Sequence, residues 1–146
     1  MKKLTTLFAA LVMVALTTSV FAKGRPITVA ELPAAAQQFL KSHFANHEVS
    51  YVTMSDELFD KDYKVVLADG CRIEFAKDGT WEEVDCKRGT IPAAIVPQQI
   101  SDYMIKHHPK RTISSIERDR RGYEVKTDNG LELEFNQKFA LIEVGD

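Results

Sequence analysis

One pattern is written twice along this chain, and that duplication constrains the fold more than any other feature. The segment from Leu32 to Cys86 returns, with one loop shortened, between Val96 and Asp146. Leu32-Pro33 opens the first copy and Val96-Pro97 the second, and Tyr63 to Val84 aligns without a gap with Tyr123 to Val144. Tyr63, Val65, Gly70, Glu74, Phe75, Glu83 and Val84 recur as Tyr123, Val125, Gly130, Glu134, Phe135, Glu143 and Val144. Apolar, turn and charged positions recur together, so the likeness goes beyond shared composition, and two copies of one small unit should build one core.

Each copy opens with a helix signal. Pro33 and Pro97 suit a first helical turn, where the missing N–H costs nothing. Phe39, Leu40 and Phe44 form one apolar stripe, and Ile100, Tyr103 and Met104 form the other. The helices should end between His43 and Asn46 and near His107, where Pro109 stops the second. Strand-like segments follow: Val49 to Ser55, Tyr63 to Leu67, Cys71 to Ala76 and Thr80 to Cys86, then Thr112 to Arg118, Tyr123 to Thr127, Leu131 to Asn136 and Ala140 to Val144. The expected fold is α+β: two tandem αββββ repeats sharing one antiparallel sheet of up to eight strands, with two helices packed on one face. In the first strand of each copy, Val49 and Val52, like Ile113 and Ile116, stand three apart, which points to a bulge or a frayed helix end.

Register follows from the turns. A three-residue Ala68-Asp69-Gly70 loop, with Gly70 left-handed, sets Val65 opposite Ile73 and Tyr63 opposite Phe75. A two-residue turn would set Val65 against Glu74 and move apolar side chains against charges. Asp128-Asn129-Gly130 pairs Val125 with Leu133 and Tyr123 with Phe135 in the same way. Asp78-Gly79 reads as a two-residue turn that opposes Ile73 to Val84 and Cys71 to Cys86. These are the only cysteines, and their cross-strand placement allows a disulfide that staples the hairpin. Tyr63, Val65, Leu67, Ile73, Phe75 and Val84 then share the helix-covered face. Lys64, Arg72, Glu74, Trp81, Glu83 and Asp85 share the open one, with Glu124, Lys126, Glu132, Glu134, Leu141 and Glu143 from the second copy.

The amino terminus carries Lys2 and Lys3, an apolar run from Leu7 to about Val20, and the small-residue ending Val20-Phe21-Ala22, the marks of a cleaved secretory signal over residues 1–22. The mature chain, residues 23–146, is expected to be one domain of two units, about 27–86 and 91–146. Of 19 basic and 21 acidic residues, the signal removes two lysines, leaving 17 against 21, a net charge of −4. That balance gives no reason to expect nucleic acid, and no later segment has the length to enter a membrane.

Trp81, the only tryptophan, is either an interface anchor on the open face or packed under a loop. The longer first-copy loop from Asp56 to Lys61 carries Leu58 and Phe59, which either protrude as a contact or fold back onto the sheet. Asp56, Asp60 and Asp62 lack the glycine and closing glutamate of a calcium loop. His43 and His47 have helix i, i+4 spacing, but no third ligand accompanies them, so no metal site and no cofactor are expected. Arg118, Arg120 and Arg121 read as a solvated turn. No Gly-x-Ser-x-Gly elbow, phosphate loop or His-Glu-x-x-His helix is present.

Leu32-Pro33-Ala34-Ala35-Ala36, Tyr63-Lys64-Val65, Asp69-Gly70-Cys71, Ile73-Glu74-Phe75, Asp78-Gly79-Thr80-Trp81 and Val84-Asp85-Cys86 form a recognisable set, continued by Val96-Pro97 and Tyr123-Glu124-Val125. Through these the chain resembles the beta-lactamase-inhibitor-like, PepSY-like family of exported bacterial proteins, found in Bacteroides and relatives. The resemblance implies a fold like that of beta-lactamase inhibitory protein, whose sheet grips an enzyme with its open face. PepSY modules are also linked to peptidase propeptides. The expectation is therefore a non-enzymatic periplasmic module that holds an exported protein or peptide on its open face, through Trp81, Arg72, Glu74, Glu83, Glu132, Glu134 and Leu141. A small-ligand or metal carrier is the alternative.

Overall fold

A computed structural model describes residues 24–57 and 60–146; the expected signal segment and the Leu58-Phe59 loop tip lie outside the described residues. The chain forms a single antiparallel sheet in which nine strands follow one another in sequence order. These are β1 (Arg25–Ile27), β2 (Val49–Glu57), β3 (Asp60–Leu67), β4 (Arg72–Phe75), β5 (Trp81–Asp85), β6 (Ile113–Arg118), β7 (Gly122–Thr127), β8 (Glu132–Asn136) and β9 (Leu141–Gly145). Helix α1 (Ala34–His43) precedes β2, and α2 (Gln98–His107) precedes β6. Eight of the strands occupy the expected segments. The ninth, β1, is three residues with a central proline, too short to show alternation, and it pairs with β2.

Pro33 and Pro97 stand as N-caps, one position before the first helical residue. Each helix then buries one stripe, Ala36 and Leu40 in α1 and Ile100 and Met104 in α2. The expected partners Phe39 and Tyr103 meet the sheet edge-on, with ring centroids 5.5 Å from Phe75 and 5.3 Å from Phe135. The turn-based registers hold: Val65 opposes Ile73, Tyr63 opposes Phe75, Val125 opposes Leu133 and Tyr123 opposes Phe135. Gly70 and Gly130 take the left-handed conformation at φ 92° and 87°, as a three-residue loop requires. In β2 and β6 the three-residue spacing resolves as a bulge, after Val49 and after Ile113.

A single apolar row crosses the sheet on the helix side. It runs Ile27, Val52, Val65, Ile73, Val84, Ile116, Val125, Leu133 and Val144, one residue from each strand. From Val65 to Leu133 every member is fully buried, whereas Val144 at the end is 53% exposed. This row forms the floor of the core, which Phe75, Phe135, Leu67 and Ile100 complete, and burying it contributes to the drive for folding. Cys71 and Cys86 are joined by a disulfide across the β4–β5 hairpin, with their Cα atoms 4.2 Å apart.

One turn differs from its sequence reading. The β4–β5 loop has three residues, because the Ala76 N–H donates to the Thr80 carbonyl at 2.8 Å and the Gly79 N–H to the Ala76 carbonyl at 2.9 Å. The one-residue shift this introduces is absorbed by a bulge at Glu82, so that Phe75 opposes Trp81 while Glu74 opposes Glu83. Trp81 therefore lies on the helix side, beside Phe75, and the open-face placement fails. The β8–β9 hairpin repeats the geometry, with Phe135 opposite Leu141 and Glu134 opposite Glu143, so Leu141 also turns to the helix side.

Candidate functional site

One residue away from the apolar row, on the open face, runs a row of carboxylates. Lys64 opposes Glu74, which opposes Glu83; the row continues through Glu117, Glu124 and Glu134 to Glu143. Strand alternation puts all of these on one side. Six glutamates on six adjacent strands span about 24 Å at the usual inter-strand spacing. The next row, Arg72, Asp85, Ser115, Lys126 and Glu132, mixes both signs.

Cations cover only part of the carboxylate row. Lys64 Nζ is 3.1 Å from Glu74 Oε1, and Arg72 Nη2 lies 3.2 Å from both Glu83 Oε1 and Asp85 Oδ2. Burial opposes the Arg72 charge, but its hydrogen bond to Glu83 and the carboxylates of Glu83, Asp85 and Glu74 hold its pKa above the usual value. Lys126 Nζ sits 2.8 Å from Glu132 Oε1 and 3.6 Å from Glu124 Oε1. Among the described residues no cation lies within salt-bridge distance of Glu117, Glu134 or Glu143; Arg121, paired with Asp119, acts on Glu134 and Glu117 only at longer range. Glu117, at the middle of the row, has its carboxyl pKa raised, first by partial desolvation and then by Glu83, Glu124, Asp119 and Glu74. It lines two shallow hollows of the open face, of about 410 and 270 Å³, and Glu124 lines both with it.

Of the residues the sequence singled out, Arg72, Glu74, Glu83, Glu132 and Glu134 come together on this face. Trp81 does not. Its ring is half-buried, 6.1 Å from that of Phe39 on α1, and the Arg118 guanidinium lies 4.1 Å above the indole. Arg118 Nε also donates to the Trp81 carbonyl at 2.7 Å, so Arg118 belongs to the packing and not to a solvated turn. Leu141 is 37% exposed at the sheet edge, off the open face. Glu117 escaped the sequence reading because β5 and β6 are joined through α2 and no tight turn sets their register; the signal was its place one residue beyond Ile116.

The histidines separate. Helix α1 ends at His43, and His47 Nδ1 instead meets Asp69 Oδ2 at 2.9 Å. Asp69 is held below the usual carboxylate range, first by the Cys71 N–H and, after some opposing burial, by His47. Among the described residues no group of three or more His, Cys, Asp or Glu side chains is arranged to hold a metal ion. A rigid row of carboxylates with uncovered members can hold cationic groups, and hard cations favour the same oxygen ligands.

Among the described residues no helix is long and apolar enough to cross a membrane. No curated protein matches the chain. Solved structures do, among them three periplasmic proteins of Bacteroides. One, from Bacteroides thetaiotaomicron, is described as a calcium-regulated periplasmic protein; it is 42% identical with a TM-score of 0.82, over 84% of this chain and 96% of that one. A second, described as a periplasmic protein of Bacteroides vulgatus, is 40% identical with a TM-score of 0.81, covering 84% and 96%. A third, described as a periplasmic protein of unknown function from Bacteroides vulgatus, is 38% identical with a TM-score of 0.77, covering 82% and 95%. The family described as beta-lactamase-inhibitor-like, PepSY-like matches residues 61–143. The chain belongs to this family.

Proposed function

We propose that this protein is a non-enzymatic periplasmic binding module, exported through a cleaved signal over residues 1–22, that holds a cationic segment of an exported protein on its open sheet face. The two halves, about 27–86 and 91–146, are copies of one unit on this reading, and the sheet is used as beta-lactamase inhibitory protein uses its own. Restraint of an exported enzyme is the sharpest form of the reading. The observation that carries it is the row of six glutamates in which, among the described residues, Glu117, Glu134 and Glu143 have no cation within salt-bridge distance and Arg121 reaches Glu134 and Glu117 only at longer range. A lysine- or arginine-rich segment laid across the strands would supply the missing charge without any conformational change. Arg72, Glu74, Glu83, Glu132 and Glu134 flank the contact, with Glu117 and Glu124 at its centre.

The test is binding of labelled oligolysine to the mature chain at low salt. The triple variant Glu117→Gln/Glu124→Gln/Glu134→Gln should weaken binding by about tenfold or more. A control losing three acids elsewhere, Glu48→Gln/Asp102→Asn/Asp146→Asn, should not. Equal weakening in both would reduce the effect to net charge and sink the site.

A second reading takes its support from the relative described as calcium-regulated. The described residues do not fit a calcium cage, since no three ligands converge, so no ligand set is assigned. Calorimetric titration with calcium chloride tests it: heat abolished by the same triple variant would place the ion on the carboxylate row.

A further inference from the structure

The two ends of the sheet are finished in opposite ways. At one edge β1 is three residues long and contains Pro26, which has no N–H to offer, a common way of closing an edge. At the other edge β9 is five residues, with Leu141, Ile142 and Val144 exposed by 37, 59 and 53%. An open, apolar edge of this kind is a template for pairing with another strand.

The molecule shows what covers such an edge. Strand β5 has the geometry of β9: Phe75 faces Trp81 as Phe135 faces Leu141, Ile73 faces Val84 as Leu133 faces Val144, and each strand carries the same bulge. The outer side of β5 is taken by β6, which sets Ile116 against Val84, Glu117 against Glu83 and Ser115 against Asp85. Beneath that junction Val84 is fully buried, whereas Val144 stands open. From the same strand Arg118 reaches over Trp81 to its carbonyl.

We propose that the β9 edge receives an extended segment of a partner protein, added antiparallel as β6 is added to β5. The segment presents an aliphatic residue to Val144 and, two residues on, a basic side chain to Leu141 and its carbonyl, as Ile116 and Arg118 serve Val84 and Trp81. Main-chain hydrogen bonds give such strand addition its affinity, and alternate side chains give it specificity. Charge complementarity selects a partner segment over a second copy. Strand β9 holds one acid and no base, and a second β9 would bring its own carboxylate row to the same edge. This edge is separate from the open face, although it extends the reading of the protein as a binding module, and the two are tested by different variants.

The probe is a peptide of this chain's own residues 111–118, the β6 sequence, titrated into the isotopically labelled mature protein and followed by amide chemical shifts. Shifts centred on 141–145, with binding weakened about tenfold or more by Val144→Lys and by replacing both isoleucines of the peptide with serine, are the expected result. Val144→Thr keeps a strand-forming side chain and should weaken binding less, which guards against a folding artefact. The open-face triple variant should leave this binding intact, so failure here and failure of the open-face site are distinguishable. Shifts elsewhere, indifference to Val144→Lys, or no binding at millimolar peptide would overturn the proposal. So would a dimer in sedimentation velocity that Val144→Lys dissociates, because the occupant would then be a second copy.

Discussion

In the first half of the molecule β5 ends beside Cys86, bonded to Cys71, and Trp81 is held between Phe39 and the Arg118 guanidinium. In the second half Leu131 and Asp146 stand where the cysteines would be, and Leu141 lies exposed at the edge with no strand beyond it among the described residues. The loop before β5 turns at Gly79, whereas its counterpart places Phe139 at φ 61°, a strained conformation for a residue with a side chain, stacked on Tyr123 with ring centroids 5.4 Å apart. Two stretches with the same strand order thus invest differently. The first is stapled and covered on both sides, and the second keeps its last strand available. The largest test of that contrast is the staple. Cys71→Ser/Cys86→Ser opens a loop with a sequence separation of 15 residues, and chain-entropy arguments assign such a bridge about 3 kcal/mol. Denaturant unfolding of the variant, and of wild type under reductant, should show matching losses. A negligible loss in both would mean that the first half does not depend on its bridge.

Next in size is a matched pair in the apolar row. Val84→Ala empties space at a fully buried position and should cost about 2 kcal/mol. Val144→Ala, at the exposed end of the same row, should cost less than about 0.5 kcal/mol. Equal costs by chemical denaturation would show that the β9 edge is already covered in solution, as it would be in an oligomer.

Smaller again is the cation above the tryptophan. Arg118→Ala removes a hydrogen bond to a backbone carbonyl and a cation stacked on an indole, together worth about 1 kcal/mol. Its effect on amide exchange should concentrate at β5 and β6 and leave β8 and β9 unchanged. Loss of protection spread over the whole sheet would contradict the division into a clamped junction and an open edge.

The registers of β3–β4 and β7–β8 were legible because Gly70 and Gly130 admit only one loop length that keeps apolar residues together. The disulfide was legible too, but through two shifts that cancel. The loop before β5 is a residue longer than Asp78-Gly79 implied, and the Glu82 bulge returns the strand to register just before Val84. Trp81 lies between the two shifts, so strict alternation put it on the wrong face, and Leu141 suffered the same error at the equivalent bulge. The open-face glutamates were visible one hairpin at a time. That they form a single row was not, because the β5–β6 pairing is set by how α2 docks and not by a turn. Glu117, the residue that joins the two halves of the row, was the one missed.

The smallest effect tests the centre of that row against its neighbour. The raised pKa of Glu117 in the folded protein means that, between its unfolded and folded values, the native state binds more protons than the unfolded state. Stability then falls as pH rises through that window, and the ionised carboxylate remains a cost at neutral pH. Glu117→Gln removes the cost, so its melting temperature should exceed that of wild type near pH 7. The difference should shrink as pH falls through the carboxylate range and vanish below the unfolded pKa, about pH 4. Added salt should narrow the gap at neutral pH, since beyond desolvation the cost is repulsion from Glu83, Glu124, Asp119 and Glu74 on a solvent-facing surface. Glu132→Gln is the counterpart from the mixed-sign row, where Lys126 Nζ lies 2.8 Å from the carboxylate; losing that pair should leave stability unchanged or slightly lower at pH 7. Thermal scans of both variants from about pH 4 to pH 7 read the sign directly. If Glu117→Gln instead lowered the melting temperature at neutral pH, the carboxylate would have a stabilising partner in solution, and the row would no longer present uncovered charge at its centre.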